Sequence, residues 1–174
     1  MNYLIVGSAG YIGSNVCKFL LEKGHNVFPI DLKFGKDYKD YSDFELLNKQ
    51  IDVCVFLAAI PGIKNCEENT DNAIAENILK PIKFFRRLHK NENINTYFIS
   101  SIAANNPQSS FYAMTKYILE REIIWNYSSK FKIIRLSNVY GGINFENKNT
   151  VISTFIKQIK NNEDITVNGD RKSK

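Results

Sequence analysis

Cysteine is scarce and unpaired in this chain. Its three cysteines, Cys17, Cys54 and Cys66, include no CxxC pair, so they carry no disulfide framework and a reduced compartment is expected. No apolar run approaches the length of a membrane span. The first such run, Tyr3-Leu4-Ile5-Val6, stops at Gly7, and no basic segment precedes it as in a signal peptide. A cytoplasmic protein with no membrane partner is therefore expected. The net charge of +5 is moderate and its lysines are scattered, which suits an anionic ligand better than nucleic acid. Repeats, linkers and low-complexity stretches are also missing, apart from an enrichment in Asn and Lys. What remains, 174 residues with 44% hydrophobic and 24% charged side chains, fits one globular domain that buries its core without disulfides or metal. No metal site is expected.

The N-terminal stretch organises the rest. Tyr3-Leu4-Ile5-Val6 reads as a strand, Gly7-Ser8-Ala9-Gly10-Tyr11-Ile12-Gly13 as a glycine turn opening a helix, and Val27-Phe28-Pro29-Ile30 as a second strand that ends in Asp31. This is the layout a dinucleotide requires. Gly7 permits the tight turn, Gly10 lets backbone amides approach a pyrophosphate, and Gly13 lets the helix sit close to the sheet. The phosphates then meet the positive end of the helix dipole. Asp31 falls where an acid accepts hydrogen bonds from a ribose 2′-OH and repels a 2′-phosphate, so NAD is favoured over NADP. Lys33, two residues on, leaves NADP open, since a cation there could receive that phosphate.

Further along, a short edge strand is expected near Tyr38 to Tyr41, then helical turns at Phe44 to Leu47. Asp52-Val53-Cys54-Val55-Phe56-Leu57-Ala58-Ala59 reads as a central parallel strand buried on both faces. Its terminal alanines either leave space for a cofactor or simply pack. Pro61 to Glu68 reads as a polar loop, and Asn69 to His89 as a helix that Pro81 kinks or splits. Asn77 inside it is either functional or an exposed polar position. Thr96 to Ser101 forms a strand ending in two hydroxyls, where open α/β sheets carry ligands. A helix through Tyr112 to Trp125, a strand at Lys132 to Leu136, an amphipathic helix at Thr150 to Lys160 and a strand and turn at Ile165 to Asp170 complete the pattern.

Tyr112 and Lys116, four apart, project from one helical face beside the strand that ends in Ser100-Ser101. A free phenol with a pKa of ~10 is a poor base at neutral pH. Lys116 and a positively charged nicotinamide nearby favour the phenolate. Tyr112 could then remove a proton from a substrate hydroxyl as hydride leaves the same carbon, with Ser101 holding that hydroxyl.

In this order the motifs resemble the extended short-chain dehydrogenase/reductase family, the NAD-dependent epimerases and dehydratases of nucleotide sugars. The resemblance runs from Met1 to about Asp170. It rests on Gly7, Gly10 and Gly13, on Asp31, on the Asp40-Tyr41 pair, which resembles an adenine-contacting stretch, on Leu57-Ala58-Ala59, Asn77, Ser100-Ser101, Tyr112 with Lys116, and Arg135-Leu136-Ser137-Asn138-Val139-Tyr140-Gly141. It implies an α/β fold with a doubly wound parallel sheet, the NAD(P)-binding Rossmann fold. It implies Ser101, Tyr112 and Lys116 as the catalytic residues, and Ser101 and Asn138 as substrate contacts. The implied cofactor site comprises Gly7, Gly10, Tyr11, Ile12, Gly13, Asp31, Asp40, Tyr41, Leu57, Ala58, Ala59 and Asn77, with Tyr112 and Lys116. A nucleotide sugar is the implied partner, and a homodimer paired through the Tyr112 to Trp125 helix a further expectation.

Two departures from the family pattern stand out. The interval from Ser101 to Tyr112 is shorter than usual and lacks the aromatic-glycine signature after the serine. The chain also stops where family members continue into a sugar-nucleotide lobe, so residues 1–174 are expected to be one cofactor-binding domain, with only the start of a substrate region from about residue 142. The residues after Ser101 are Ile102-Ala103-Ala104, without the Asp-Glu pair of sugar 4,6-dehydratases, which disfavours dehydration. Epimerisation at C4 of a nucleotide sugar is the favoured expectation. A sugar dehydrogenase or reductase, and a cofactor-binding module or fragment without catalysis, are the alternatives.

Overall fold

Residues 1–40, 50–90, 94–127, 129–142 and 151–167 are described by a computed structural model. They fall into two compact units, Met1–Ser137 and Asn138–Lys174. In the first unit, strands β1 (Asn2–Val6), β2 (Asn26–Ile30), β3 (Val53–Phe56), β4 (Asn95–Ser101) and β5 (Phe131–Leu136) form a parallel sheet in the order β2-β1-β3-β4-β5. Helices α1 (Tyr11–Glu22), α2 (Ile63–Glu68), α3 (Thr70–Ile74), α4 (Lys80–Leu88) and α5 (Phe111–Tyr127) accompany it. The expected doubly wound parallel α/β fold is what the chain adopts. From β1 the chain runs outward to β2 and then returns past β1 to β3, so the order reverses between β1 and β3. Ligands of open α/β sheets bind in the crevice at that reversal, beyond the carboxyl ends of the strands.

Strand alternation sends Leu4, Val6, Cys54, Phe56 and Phe98 into one core with Phe84, Phe85 and Leu88 of α4 and Leu119 and Ile123 of α5. Aromatic rings bind this core together: Phe56 meets Phe85 edge-on with centroids 4.8 Å apart, and Phe85 meets Phe131 at 4.9 Å. Pro29 sits in β2, which among the described residues pairs only with β1, a placement that suits a residue with no N–H to donate. Among the described residues, no helix is long and apolar enough to cross a membrane.

Several local expectations need correction. Residues 38–40 form a turn, not an edge strand. The Asp37 carboxylate accepts from the Lys39 N–H at 3.1 Å and its carbonyl accepts from the Asp40 N–H at 3.0 Å, which closes the chain on itself. Tyr41 and the helical turns expected at Phe44 to Leu47 lie outside the described residues. The loop expected at 61–68 contains α2, anchored by the buried Cys66 and by Asn65 Nδ2 donating to the Pro61 carbonyl at 2.9 Å. Between α3 and α4 the chain forms a π turn, Ala75–Leu79, so Pro81 neither stops the helical path nor sits in an ordinary α-turn. In that wide turn the Glu76 carbonyl is the one that Pro81, lacking an N–H, leaves unserved. Tyr38 Oη donates to it at 3.3 Å.

The second unit holds helix α6 (Val151–Lys160). Residues 163–167 carry no strand. The expected pairing is replaced by Gln158, whose side chain bonds the Thr166 hydroxyl at 3.1 Å and accepts from its N–H at 3.4 Å.

One polar link ties α5, β5 and the segment after β4 together. Glu120 on α5 is buried, with 1% of its surface exposed, and takes Arg135 Nε of β5 at 2.9 Å, while another arm of Arg135 reaches Asn105 Oδ1. Burial pushes the Glu120 carboxyl up, but the hydrogen bonds and charge of Arg135 outweigh it and hold the group below the usual carboxylate range. Arg135→Leu, which strands that carboxylate, is expected to lower unfolding stability by about 3 kcal/mol. The double variant Glu120→Leu with Arg135→Leu should recover much of the loss in urea titrations. A single-variant loss below about 0.5 kcal/mol would make the pair a solvated surface contact instead.

Candidate functional site

The turn after β1 is built by close contact of backbone with backbone. Gly7 has φ +88°, and a Cβ there would lie 2.7 Å from the Ala58 nitrogen. A Cβ on Gly13 would stand 2.1 Å from the Gly7 carbonyl oxygen. Thus Gly7 fits the turn against the end of β3, and Gly13 brings α1 down onto that turn, as the motif requires. Gly10 stands at the N-terminal end of α1, where no side chain caps the helix and no acid lies in the first turn. That end suits an anion. Tyr11 and Ile12 form the first positions of the helix.

Asp31 ends β2 and is already engaged. Its Oδ2 accepts from the Ala9 N–H of the glycine turn at 2.9 Å and its Oδ1 from the Lys33 N–H at 3.0 Å. Each oxygen has a further lone pair for a ribose hydroxyl. Leu57, Ala58 and Ala59 follow β3 directly, and Leu57 N–H donates to the Val6 carbonyl at 2.8 Å. Together these residues border a cavity of about 340 Å³ lined by Gly7, Gly10, Asp31, Leu57, Ala58 and Ala59, with Tyr38, Asn72 and Glu76 further along. The alanines therefore face open space. A glycine cradle without room for Cβ atoms, an uncapped helix end and a carboxylate with spare acceptors fit an NAD-type dinucleotide. Asp40 is exposed and does not line the cavity.

Asn77 is off the cavity wall as well. It is 2% exposed, in the π turn, and its amide is spent on protein. Oδ1 accepts from the Ile60 N–H at 2.7 Å, and Nδ2 donates to the Ile60 carbonyl at 3.1 Å and to Thr115 Oγ1 at 3.3 Å. Thr115 in turn donates to the Tyr112 carbonyl at 2.8 Å. The expectation of an exposed position gives way to a brace between the loop after β3 and the start of α5.

Ser101, Tyr112 and Lys116 are brought together. Short 3₁₀ turns at Ile102–Asn105 and Pro107–Ser109 fold the interval back, and the Ser110 hydroxyl accepts from the Ala113 N–H at 3.1 Å as α5 begins. The short interval thus still reaches from the end of β4 to Tyr112. Burial raises the Tyr112 phenol, and a hydrogen bond with Ser101 partly offsets it. Lys116 is buried, donates to the Ile99 carbonyl at 3.2 Å and lies 5.9 Å from the centre of the Tyr112 ring. Burial pulls its ammonium down to about 8. The sequence reading missed this: the lysine expected to favour the phenolate is itself desolvated, and Tyr112 is shifted up. Asn138 belongs to the second unit and is exposed.

Sequence reasoning also missed Glu120, Thr115, Tyr38, Asn72 and Glu76. For Glu120 a signal existed, because Tyr112, Lys116 and Glu120 recur at four-residue spacing along one face of α5.

The fold is thus a doubly wound dinucleotide-binding sheet with a glycine cradle at its switch point. Residues 3–174 match the NAD dependent epimerase/dehydratase family, and the chain belongs to it. It is 28% identical, over 96% of its own length, to a Methanocaldococcus jannaschii protein named provisionally as a UDP-glucose 4-epimerase, and spans 66% of that relative. Its fold matches the Bacillus cereus UDP-glucuronic acid 4-epimerase, solved with UDP-glucuronic acid and NAD, at a TM-score of 0.78 and 24% identity, covering 98% of this chain and 66% of that one. It also matches the Thermotoga maritima UDP-glucose 4-epimerase, solved with UDP-glucose, at a TM-score of 0.78 and 21% identity, with the same 98% and 66% coverage.

Gly13→Ala should destabilise the domain by about 1–3 kcal/mol, since the neighbour that must yield is backbone. A loss below about 0.5 kcal/mol in urea titrations would show that the close approach of α1 is not required. For Lys116 the sign follows from its lowered pKa. Between about 8 and the ordinary 10.5 the unfolded chain binds more protons at this group, so stability rises with pH there and is lowest below 8. The stability of the native chain minus that of Lys116→Met, from urea titrations, should therefore rise from pH 7.5 to pH 10.5 by up to roughly 3 kcal/mol. A flat difference would place the ammonium in water.

Proposed function

We propose that this chain carries the cofactor and proton-transfer half of an NAD-dependent nucleotide-sugar 4-epimerase. The observation that carries the reading is the convergence of Ser101, Tyr112 and Lys116 at the end of β4, on the same sheet edge as the glycine cradle. When bound, NAD supplies the acceptor and donor of hydride. Gly7 and Gly10 receive the pyrophosphate, Asp31 holds the adenosine ribose, and Leu57 to Ala59 line the wall. Tyr112 Oη would take the proton of the sugar C4 hydroxyl and later return it to the same oxygen, so that the carbon can be epimerised through a keto sugar. Ser101 hydrogen-bonds the reacting oxygen. Lys116, fixed to the Ile99 carbonyl, keeps a positive charge beside the phenol, which burial alone would leave protonated. The lack of an acid at Ile102-Ala103-Ala104 supports epimerisation over dehydration, and the relatives named as 4-epimerases support a UDP-sugar as substrate.

Incubation with NAD and UDP-glucose is expected to yield the C4 epimer without net NADH. Tyr112→Phe should lower turnover roughly 10²–10⁴-fold and leave NAD binding nearly intact. Steady accumulation of NADH would identify a dehydrogenase instead. NAD binding with no turnover of any UDP-sugar would identify a cofactor-binding module.

A further inference from the structure

Lys116 is a buried ammonium with three protons to donate. The Ile99 carbonyl takes one at 3.2 Å, and the ring centres of Phe98 and Tyr112 lie 5.1 and 5.9 Å away. Among the described residues no ion pair neutralises it. The groups that face it from each packed element can be sorted by charge. From α2 comes Cys66, whose buried thiol donates to the Ile60 carbonyl at 3.5 Å and takes the Asn77 amide at 3.7 Å. Burial pushes that thiol up, so it is neutral near pH 7. From β4 come the neutral Ile99 carbonyl and the Phe98 ring. From α5 itself come Tyr112, whose phenol burial also raises, and one turn in the other direction the buried Glu120. Glu120 is the one anion of this set, kept ionised by Arg135 of β5 at 2.9 Å. The two ends of that pair differ in exposure, 1% for the Glu120 side chain against 36% for Arg135. Water therefore screens the guanidinium more than the carboxylate. The neighbouring cation on α5, Arg121, is exposed and screened likewise.

From this placement we infer that Glu120 is a positioning residue for the proton transfer: one helical turn beyond Lys116, its carboxylate keeps that ammonium charged beside Tyr112. The inference rests on the proposed proton transfer at Tyr112 and gives the Glu120–Arg135 pair a part beyond bracing α5. At four-residue spacing the Cβ atoms of Lys116 and Glu120 are about 5–6 Å apart, and in a site closed to water a charge at that range acts strongly. Glu120 does not touch the reacting atoms. It acts through Lys116, where burial pulls the ammonium down to about 8 and the carboxylate opposes the pull. Without that opposition the ammonium would give up its proton near neutral pH, and the phenol would lose the cation that favours its ionised form.

The ε-carbon NMR signal of Lys116, identified by its loss in Lys116→Met, reports the protonation of this group. Its midpoint is expected to fall by about one pH unit in Glu120→Gln, a tenfold loss of proton affinity. The direction discriminates, because a variant that merely loosened the packing would admit water and raise the midpoint toward the ordinary 10.5. Should Glu120→Gln not fold, the same change made in Arg135→Gln, where no guanidinium is left unpaired, is expected to lower the midpoint below that of Arg135→Gln alone. With NAD and UDP-glucose, the alkaline limb of kcat/KM should move to lower pH in step with the midpoint, and Glu120→Asp, which keeps the charge, should recover most of both changes. A midpoint that stays in place or rises on loss of the carboxylate overturns the inference and leaves the proposed function standing. A midpoint that falls while the pH profile of turnover does not move also overturns it. Absence of turnover in the unaltered chain overturns both readings.

Discussion

The site depends on three stretches of backbone meeting with no side chain between them. The Gly7 peptide lies against the end of β3 on one side and under α1 on the other, at distances that admit no Cβ on Gly7 or Gly13. Because of that contact, the N-terminal end of α1, the carboxyl end of β1 and the alanines after β3 all open onto one crevice. Strand order places the crevice, and the glycines keep it narrow enough for backbone amides to reach a phosphate.

A second set of constraints joins the crevice to the group of Ser101, Tyr112 and Lys116. Asn77 holds the Ile60 peptide at both its N–H and its carbonyl while reaching Thr115 in the first turn of α5. A buried amide with its hydrogen bonds filled has one low-energy placement, and through Thr115 it communicates that placement to the turn carrying Tyr112. The π turn that contains Asn77 is itself arranged around Pro81, with Tyr38 donating to the carbonyl the proline leaves open. Glu120, Arg135 and Asn105 brace the other flank, between α5 and the segment after Ser101. The group of Ser101, Tyr112 and Lys116 is thus held from both flanks.

The parts of this arrangement with a short-range cause could be read in the sequence. The glycine turn, the acid ending β2 and the buried strand into Ala58-Ala59 each follow from local spacing. So does the four-residue interval between Tyr112 and Lys116, and the parallel sheet follows from the alternation of these pieces. What could not be read depended on partners far along the chain. Nothing near Asn77 says that its amide meets Ile60 and Thr115, and nothing near Pro81 announces a π turn served by Tyr38. The edge strand expected at Tyr38 failed because Tyr38 is drawn into the aromatic core with Phe56 and Phe84, where burial of the ring outweighs strand propensity. The effect of Lys116 on Tyr112 was misjudged for a similar reason, since sequence spacing fixes proximity and not the depth at which both groups lose water.

Asp31 has a consequence for how this domain could change over time. Its carboxylate closes the glycine turn through Ala9 and caps the turn after β2 through Lys33, so the group proposed to hold the adenosine ribose also maintains the glycine turn. A lineage drifting toward a 2′-phosphorylated cofactor would have to find a neutral acceptor for those amides, a serine or asparagine for instance, before shedding the negative charge. On the proposed role of Asp31, cofactor preference is therefore tied to the integrity of the glycine turn, and single-step exchange at this position is a narrow path.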